Sequence, residues 1–538
     1  MQPQHETIAL EDLRFDNSFT RELPADKETV NRRRQVHAAC FSRVQPLAVP
    51  TPQLLACSPE TAALLNLSAQ ECSRDLFTQV FSGNALLPGM DPHAACYGGH
   101  QFGNWAGQLG DGRAINLGEV LNLSGERYML QLKGAGPTPY SRNADGLAVL
   151  RSSLREFLCS EAMYHLGIPT TRALSLILTG DPVERDMFYD GHPKEEPGAV
   201  ICRVAPNFIR FGNFEIFAAR NDLTTLQQLT DYTISTFFPQ LGKPGRDSYI
   251  ALFHEVCQST AKLMVEWLRV GFVHGVMNTD NMSILGLTID YGPYGWLENY
   301  DPAWTPNTTD AAGRRYCYGR QGQIAHWNLA KLANALYPLV GQTTPFEEIL
   351  QGYTHIFDQH WQEMMAAKLG LRSFDTAGDQ AMVEELFLLL IEKETDMTIF
   401  FRKLADVAEA LLKEQWSAEQ CTTILHPAWY QPNELGPDYL QRLTAWLAVY
   451  RQRLQTDADQ KGERRTRMNR ANPKYVFRNY LAQQAIDQAK AGNYQQIQEL
   501  LDLLARPYDE QPEREHFAAR RPEWARNRPG CSMLSCSS

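Results

Sequence analysis

Two oxygen-bearing side chains near the middle of the chain could hold a divalent metal. Asn281 and Asp290 offer an amide oxygen and a carboxylate, ligands that suit Mg²⁺ or Mn²⁺ when the metal bridges phosphate oxygens. Taken singly, Asn281 is also typical of a turn and Asp290 of a strand end. Asp280 directly precedes Asn281 and is the only carboxylate close to the expected phosphate end of this loop. We therefore interpret Asp280 as the candidate general base, provided that it reaches the reacting phosphate.

The spacing of these residues follows most of the pattern of a protein-kinase catalytic loop. That loop reads H-R-D-x-x-x-x-N and is followed by D-F-G. Counting from His274, the Asn position falls on Asn281 and the D-F-G position on Asp290-Tyr291-Gly292, but the position of the base falls on Val276. We interpret His274 as structural. A chain that keeps the metal ligands without this base is expected to use ATP in a different reaction.

A glycine-rich segment upstream could bind the phosphates of a nucleotide. Residues 98–113 end in Gly110-Asp111-Gly112-Arg113, where Gly110 and Gly112 permit close approach of the backbone and Arg113 adds a bidentate donor. Two predicted strands follow at 114–120 and 128–133, joined by turn residues as in a β-hairpin. The second strand ends in Lys133, a point charge suited to phosphates, although an isolated lysine is more often a surface residue.

Lys133 needs an acidic partner if it is to be held inside the protein. The apolar spacing over residues 146–166 predicts a helix that carries Glu156 and Glu161. Either carboxylate could pair with Lys133, and we favour Glu156.

The order of the predicted elements indicates the fold class. A strand at 199–204 follows the helix, and a long amphipathic helix at 247–270 leads into the loop that contains His274. A β-rich part followed by a helical part predicts an α+β, protein-kinase-like bilobal fold. The predicted boundaries are 1–90 for an N-terminal extension, 91–215 for the N-lobe, 216–430 for the C-lobe and 431–538 for a C-terminal helical extension with a cysteine-containing tail.

Arg203 and Arg210 are the least kinase-like residues of this region. Guanidinium groups match phosphate oxygens, so a functional pair here would place phosphates where a kinase holds adenine. The alternative is that both arginines form surface salt bridges. Considered by themselves, the two residues favour this alternative. Asp145-Gly146 precedes the predicted helix, and capping is the expected role of Asp145.

Charge and hydropathy exclude several classes of partner. The net charge of -11 argues against binding of nucleic acid or of anionic membranes. No apolar run approaches the roughly 20 residues that a membrane helix needs. The acidic N-terminal residues do not fit a transit peptide, and we expect a cytoplasmic, monomeric protein. One basic run is interpreted as a solvated helix face: Lys461, Arg464, Arg465, Arg467 and Arg470.

Eleven cysteines are scattered without C-x-x-C pairs, so neither a zinc site nor a disulfide scaffold is predicted. Most are expected to be buried and reduced. Cys531 and Cys536 lie in a polar tail, where we expect mobile, exposed thiols; an inert end and a redox role are equally compatible with the sequence.

Long motifs resemble one family closely, selenoprotein O, also called the YdiU family. The resemblance extends from about residue 90 to the end of the chain and covers the N-terminal extension weakly. The motifs are G-H-Q-F-G (99–103), G-Q-L-G-D-G-R (107–113), Q-L-K-G-A-G-P-T-P-Y-S-R (131–142), H-G-V-M-N-T-D-N-M (274–282), I-D-Y-G-P-Y-G (289–295), N-P-K-Y-V-F-R-N-Y-L (472–481) and the terminal S-C-S-S.

The resemblance implies a pseudokinase that binds ATP in a flipped orientation and transfers AMP to Ser, Thr or Tyr hydroxyls of other proteins, with Mg²⁺ or Mn²⁺. Some members use UTP, and redox-related proteins are possible substrates. It implies Asp280 as the proton acceptor and Asn281 and Asp290 as metal ligands. Cys536 stands where animal members have selenocysteine, which puts selenium-dependent redox chemistry in doubt. The implied nucleotide contacts are Gly110, Gly112, Arg113, Lys133, Asp145, Gly146, Arg203, Arg210 and Asp290.

Three alternatives remain open from the residues. A true kinase that transfers the γ-phosphate is disfavoured by Val276. A nucleotide-binding scaffold without catalysis would keep the same binding residues. A small-molecule phosphotransferase of the aminoglycoside-kinase type would require an H-G-D loop, which His274-Gly275-Val276 imitates without matching.

Overall fold

The computed structural model describes residues 6–457 and 462–535 and has an α+β fold, as predicted. Its main sheet is antiparallel, with the strand order β2-β4-β7-β8-β10-β9-β3, and β1 pairs with β7. The strands of the described residues are β1 Arg14–Phe15, β2 Phe41–Arg43, β3 Gln53–Cys57, β4 His93–Ala95, β5 Gly98–Gln101, β6 Asn104–Gln108, β7 Ala114–Leu121, β8 Arg127–Lys133, β9 Arg172–Arg185, β10 Lys194–Ala205, β11 Phe272–Val273 and β12 Gly295–Trp296.

Apolar runs form the centre of this sheet. The predicted hairpin is confirmed: β7 and β8 pair from Ala114 opposite Lys133 to Leu121 opposite Arg127, with a register shift between Asn116 and Gly118. The turn between them contains Gly125 at φ +80°, a conformation that favours glycine. On its other side β8 pairs with β10, where Ile201 lies opposite Lys133. Lys133 therefore ends a central, buried strand.

Residues 6–90 and the glycine-rich segment take different places. β2 and β3, from the first 90 residues, pair with β4 and β9 and so belong to the main sheet. The glycine-rich segment forms a separate hairpin of β5 and β6. Its turn residues Phe102 and Gly103 both have positive φ, as the tightest hairpin turns require. Residues 6–90 are thus integrated with the β-rich part of the structure.

The remainder of the described chain is mainly helical. The larger apolar core extends from the main sheet into the helices around it, and a second core lies among α10 to α15. The helices are α1 Ser18–Glu22, α2 Pro59–Leu64, α3 Ala69–Cys72, α4 Asp75–Ser82, α5 Leu150–His165, α6 Phe211–Ala219, α7 Leu223–Phe237, α8 Arg246–Val270, α9 Gln321–Val340, α10 Thr344–Lys368, α11 Asp379–Glu392, α12 Met397–Leu411, α13 Ala418–Leu425, α14 Pro437–Thr456, α15 Glu463–Ala471, α16 Asn479–Lys490 and α17 Gln495–Leu504.

The predicted helix at 146–166 begins four residues late, at Leu150. Gly146 has φ +79°, and a Cβ there would lie 2.3 Å from the backbone of Gly136. Leu147 and Val149 make isolated β-bridges with Ala135 and Gly198. These tertiary contacts hold residues 146–149 extended, so the helical turn starts only after them.

The helix predicted at 247–270 is confirmed as α8, Arg246–Val270. It ends at Gly271, whose φ of +78° is typical of the residue that closes a helix. The chain passes at once into β11 and the loop with His274. Across the described ranges, no helix combines the length and the apolar character needed to cross a membrane.

Candidate active site

A cavity of about 660 Å³ lies between the ends of β7 and β8 and the loop that follows β11. It brings together most of the residues predicted for nucleotide and metal binding. Those on its wall are Gly110, Gly112, Arg113, Lys133, Asp145, Gly146, Arg203, Asp280, Asn281 and Asp290. A larger cavity of about 830 Å³ between α8 and α15 contains none of them.

Asp290 is held by two guanidinium groups. Arg203 Nη1 donates to its Oδ1 at 2.5 Å, and Arg210 Nη1 donates to its Oδ2. Burial alone raises the pKa of this carboxyl, but the charges of Arg210, Arg203 and then Lys133 hold it far below its usual range. The side chain is 22% exposed, toward the cavity. Asp290 is therefore an ionised carboxylate that faces the cavity.

Arg203 and Arg210 lie in different places relative to the cavity. Arg203 reaches the wall, where Nη1 also bonds Glu156 Oε1 at 3.1 Å and Nη2 bonds Gln131. Arg210 is 1% exposed and lies behind Asp290, where Nη1 also donates to the Asp280 carbonyl at 2.9 Å. Sequence reasoning missed this arrangement because the Asp290 carboxylate that joins both arginines is about 80 residues away in the chain.

Lys133 pairs with Glu156 and not with Glu161. The ammonium group bonds Glu156 Oε2, and both side chains are buried. Burial lowers the pKa of Lys133 to about 8, against the opposing charge of Glu156. Glu161 lies farther along α5 and instead forms a bidentate pair with Arg172. The structure thus places one buried, cavity-facing cation at the end of β8.

Asn281 lies in a single 3-10 turn, Thr279–Asn281, on the same wall as Asp290. Its Nδ2 donates to the Val276 carbonyl at 2.8 Å, which turns the amide oxygen away from that carbonyl. His274 is structural, as interpreted: its Nε2 bonds the Ile289 carbonyl at 2.8 Å and its ring stacks on Trp267. His274 thereby joins the loop before Asn281 to the segment that carries Asp290.

The β5–β6 hairpin packs against the loop that contains Asp280. Gln101 Nε2 donates to Asp280 Oδ2 at 3.1 Å, and the backbone N–H of His100 donates to Thr279 Oγ1 at 2.7 Å. Burial raises the pKa of Asp280 to about 7. A carboxyl with a pKa near the working pH suits a general base. Sequence reasoning missed Gln101, and only its place in the glycine-rich segment pointed toward it.

The cavity wall also contains the predicted Asp145 and two arginines, Arg142 and Arg185, that the sequence did not indicate. Asp145 makes a bidentate pair with Arg185 at 2.7 and 2.8 Å, and its Oδ1 also accepts the backbone N–H of Leu147 at 2.9 Å. The second contact lies within the extended segment, whereas α5 begins only at Leu150 with Val149 at its N-cap and no side-chain cap, so the helix-capping role expected of Asp145 is wrong. Arg142 and Arg185 both line the cavity and add positive charge at its entrance.

Comparison with known proteins identifies the family. The model of the family "Protein adenylyltransferase SelO" matches residues 27–505. The chain belongs to the SelO family. It is 59% identical to "Protein nucleotidyltransferase YdiU" of Rhodopirellula baltica over 98% of this chain and 99% of the relative. The protein of the same name from Aromatoleum aromaticum is 58% identical over 98% of this chain and 100% of the relative. The predicted family and the predicted enzyme class, nucleotidyltransferase, are confirmed.

The tail of this SelO-family chain differs from the sequence expectation. Cys531 is 3% exposed, and burial raises the pKa of its thiol to about 11, so the expectation of an accessible thiol is wrong for this residue. The backbone N–H of Leu534 donates to the Pro306 carbonyl at 2.9 Å and its carbonyl accepts from Thr308 at 2.8 Å, which holds the chain in place at Leu534. Cys536 lies outside the described residues, and its redox role stays a prediction.

Gly99→Ala is expected to lower the rate of nucleotide transfer by about tenfold or more, because a one-ångström misplacement of a reacting group can cost about a hundredfold. A Cβ on Gly99 would lie 2.6 Å from Asp280 Oδ1 and 2.9 Å from Asp280 Cβ, so the side chain must move. Transfer rate and ATP affinity, measured together, check this prediction. The matched control is Gly352→Ala, since nothing lies within 4 Å of a Cβ there and neither glycine has a positive φ. An equal loss of rate in both variants would contradict it.

Proposed function

We propose that this protein transfers AMP from ATP to Ser, Thr or Tyr hydroxyls of protein substrates and releases pyrophosphate, in a kinase-like bilobal fold. The observation that supports this most is the position of Asp280, which lies beside Asn281 on the cavity wall while Val276 occupies the kinase base position. Compared with a kinase, the candidate base lies later in the loop, directly before the proposed metal ligand Asn281. A base at that point serves attack on a phosphate held close to the metal.

The chemistry would proceed in one displacement. The acceptor hydroxyl loses its proton to the Asp280 carboxylate while its oxygen forms a bond to the α-phosphorus. The bond from that phosphorus to the bridging oxygen of the β-phosphate breaks, and pyrophosphate carries away the electron pair. Positioning and charge stabilisation supply most of the acceleration in such reactions. Gln101 would hold Asp280 toward the acceptor through its hydrogen bond of 3.1 Å.

The residues present fit a divalent metal. Asn281 and Asp290 would hold Mg²⁺ or Mn²⁺, which supplies charge neutralisation on the phosphate oxygens when bound. The fit rests on the donor chemistry: an ionised carboxylate and an amide oxygen share one wall of the cavity. In the described ranges no group of three or more His, Cys, Asp or Glu side chains could hold a metal. Two protein oxygens with phosphates and water as the other ligands is the usual arrangement for nucleotide-bound Mg²⁺.

The remaining positive charges would bind the β- and γ-phosphates. Lys133, Arg113 and Arg203 face the cavity from the β-rich side, and Arg185 lies at its mouth. Arg203 supports the flipped nucleotide, because it stands in the part of the chain where a kinase holds adenine and yet pairs with Asp290 Oδ1. Arg210 would act as a positioning residue, since it lies behind Asp290 and bonds both Asp290 and the Asp280 carbonyl.

The test uses ATP labelled at the α or the γ position, incubated with the protein, Mg²⁺ or Mn²⁺ and a cell lysate. Label on proteins is expected from the α position only, because AMP is the transferred group. Asp290→Ala should give none, and the matched control Asp247→Ala, at a side chain that is 97% exposed, should retain transfer. Transfer of label from the γ position would instead show a kinase. If neither the α nor the γ label were transferred to proteins, protein adenylylation in that lysate would be contradicted.

A further inference from the structure

The segment before Arg142 lies directly on the glycine-rich loop at the ends of β7 and β8. Thr138 Oγ1 donates to the Asp111 carbonyl at 2.6 Å, and Ser141 Oγ donates to the Gly112 carbonyl. A Cβ on Gly112 would lie 3.2 Å from Ser141 Cα, so the two segments are in close contact. Arg142 therefore follows a turn that is fixed to the loop proposed to bind phosphates.

Arg142 is exposed and lines the nucleotide cavity. Its φ is +51°, a left-handed conformation that is uncommon for residues other than glycine. On the same wall, Asp290 and Tyr189 share this conformation, with φ of +55° and +56°. Such backbone conformations persist where the surrounding structure enforces them, and they cluster at ligand sites. The structure thus holds the Arg142 backbone in a costly conformation at the cavity.

Arg113 and Arg142 differ from the other cations of the cavity wall. Those others are paired with carboxylates: Lys133 and Arg203 with Glu156, Arg203 also with Asp290, and Arg185 with Asp145. Within residues 6–457 and 462–535, the side chains of Arg113 and Arg142 form neither an ion pair nor a hydrogen bond. Guanidinium forks match phosphate oxygens, so both groups are available for an anionic ligand in the cavity.

Two carboxylates also line the cavity, on the β9–β10 hairpin. They are Glu184 and Asp186. Asp186 accepts the backbone N–H groups of Asp190 and Gly191 at 3.2 and 2.7 Å, and neither carboxylate pairs with Arg142 in the part of the chain that the structure describes. Because like charges repel, a phosphate at the mouth is expected at the arginines and away from this hairpin.

The exposure of the cations increases from the reacting centre toward the mouth. Lys133 and Arg203 are buried, at 7% and 3% exposure. Arg113 is half-buried, and Arg142 is exposed. Burial lowers the pKa of Lys133 to about 8, and the charge of Arg113 adds to this lowering, which places Arg113 near Lys133. With its α-phosphate at the proposed metal ligands, a triphosphate would pass Lys133 and Arg113 and end at Arg142.

We propose that Arg142 binds the γ-phosphate of the nucleotide, together with Arg113, and so makes the site select nucleoside triphosphates over diphosphates. The proposal rests on the proposed function for the direction in which the nucleotide lies. A diphosphate would present its α-phosphate to the metal ligands equally well, and its leaving group would be phosphate. Contact with the γ-phosphate would favour the nucleotide whose leaving group is pyrophosphate.

The test is isothermal titration calorimetry with α,β-methylene-ATP and α,β-methylene-ADP in Mg²⁺. These analogues differ only in the γ-phosphate, and neither can transfer AMP. The unsubstituted protein is expected to bind the ATP analogue at least about tenfold more tightly. Arg142→Gln should weaken binding of the ATP analogue by about tenfold, as for one lost charge-assisted hydrogen-bonded pair, and leave binding of the ADP analogue unchanged.

The matched control is Arg314→Gln. Arg314 is also exposed and also has a positive φ, of +46°, but it does not line the cavity, so its substitution should change neither affinity. Arg142→Lys keeps the charge without the fork and should retain part of the selection, which covers the case in which the Gln variant does not fold. Equal effects of Arg142→Gln on both analogues, or an equal effect of Arg314→Gln, would overturn the proposal.

The binding measurement separates this proposal from the proposed function, because it does not depend on transfer. A protein that selects the ATP analogue through Arg142 but transfers no α label would contradict the proposed function and keep this inference. Transfer of the α label by a protein whose Arg142→Gln variant keeps both affinities would do the reverse. If that variant loses transfer with unchanged nucleotide affinities, Arg142 serves the acceptor protein and the proposal is wrong.

Discussion

Asp290→Asn is expected to abolish nucleotide transfer and to destabilise the protein at the same time. The substitution removes the ionised ligand proposed for the metal, so transfer should fall below detection. It also leaves Arg203 and Arg210 without their shared carboxylate. Breaking a buried ion pair by removing one partner costs about 3–5 kcal/mol, and the partial exposure of Asp290 favours the lower end of that range. Denaturant unfolding and α-label transfer, measured on the same preparation, check both parts.

The control for this substitution is Asp145→Asn. Asp145 also lines the cavity and also pairs with an arginine, but its side chain is 43% exposed. Exposed pairs contribute about 0–1 kcal/mol, so its loss should change stability little. Transfer that persists in Asp290→Asn, or a free energy of unfolding equal to that of the unsubstituted protein, would contradict the assignment of Asp290 as the charge centre of the site.

Asp280→Asn is expected to lower the transfer rate by about 10²–10⁴-fold without loss of ATP binding or of stability. The amide has the same shape as the carboxyl and can still accept the hydrogen bond from Gln101. It cannot take up the acceptor proton. Because burial makes the charged carboxylate costly at this position, its neutral replacement should not lower the melting temperature.

The two substitutions therefore separate the roles of neighbouring acids. Transfer rate, ATP affinity and melting temperature should all fall in Asp290→Asn, whereas only the rate should fall in Asp280→Asn. Titration with α,β-methylene-ATP and thermal unfolding distinguish these patterns. If Asp280→Asn keeps the full rate, the proton must go to another acceptor and the proposed mechanism is wrong.

Local patterns predicted the elements that hold the site. The alternation of apolar and turn residues predicted β7, β8 and their turn, and the periodicity of residues 247–270 predicted α8 almost to the residue. The start of α5 was missed because the apolar spacing typical of a helix already begins at Gly146. Contacts of residues 146–149 with Gly136 and Gly198 keep this part of the chain extended. Helical spacing is a pattern of residues close together in the chain, so it does not report contacts with residues that are farther away in sequence.

The sequence by itself determined which reactive groups are available to this protein: the oxygens of Asn281 and Asp290 proposed as metal ligands, the base candidate Asp280, and the motifs that place the chain in the SelO family. Residue types and their spacing are properties of the sequence and do not depend on how the chain folds. Only the tertiary structure decided which charges meet. It paired Lys133 with Glu156, joined Arg203 and Arg210 through Asp290, and brought Gln101 to Asp280 across 179 residues of chain. Burial then raised the pKa of one acid and neighbouring charges lowered that of the other, effects that depend on packing and have no counterpart in the order of residues.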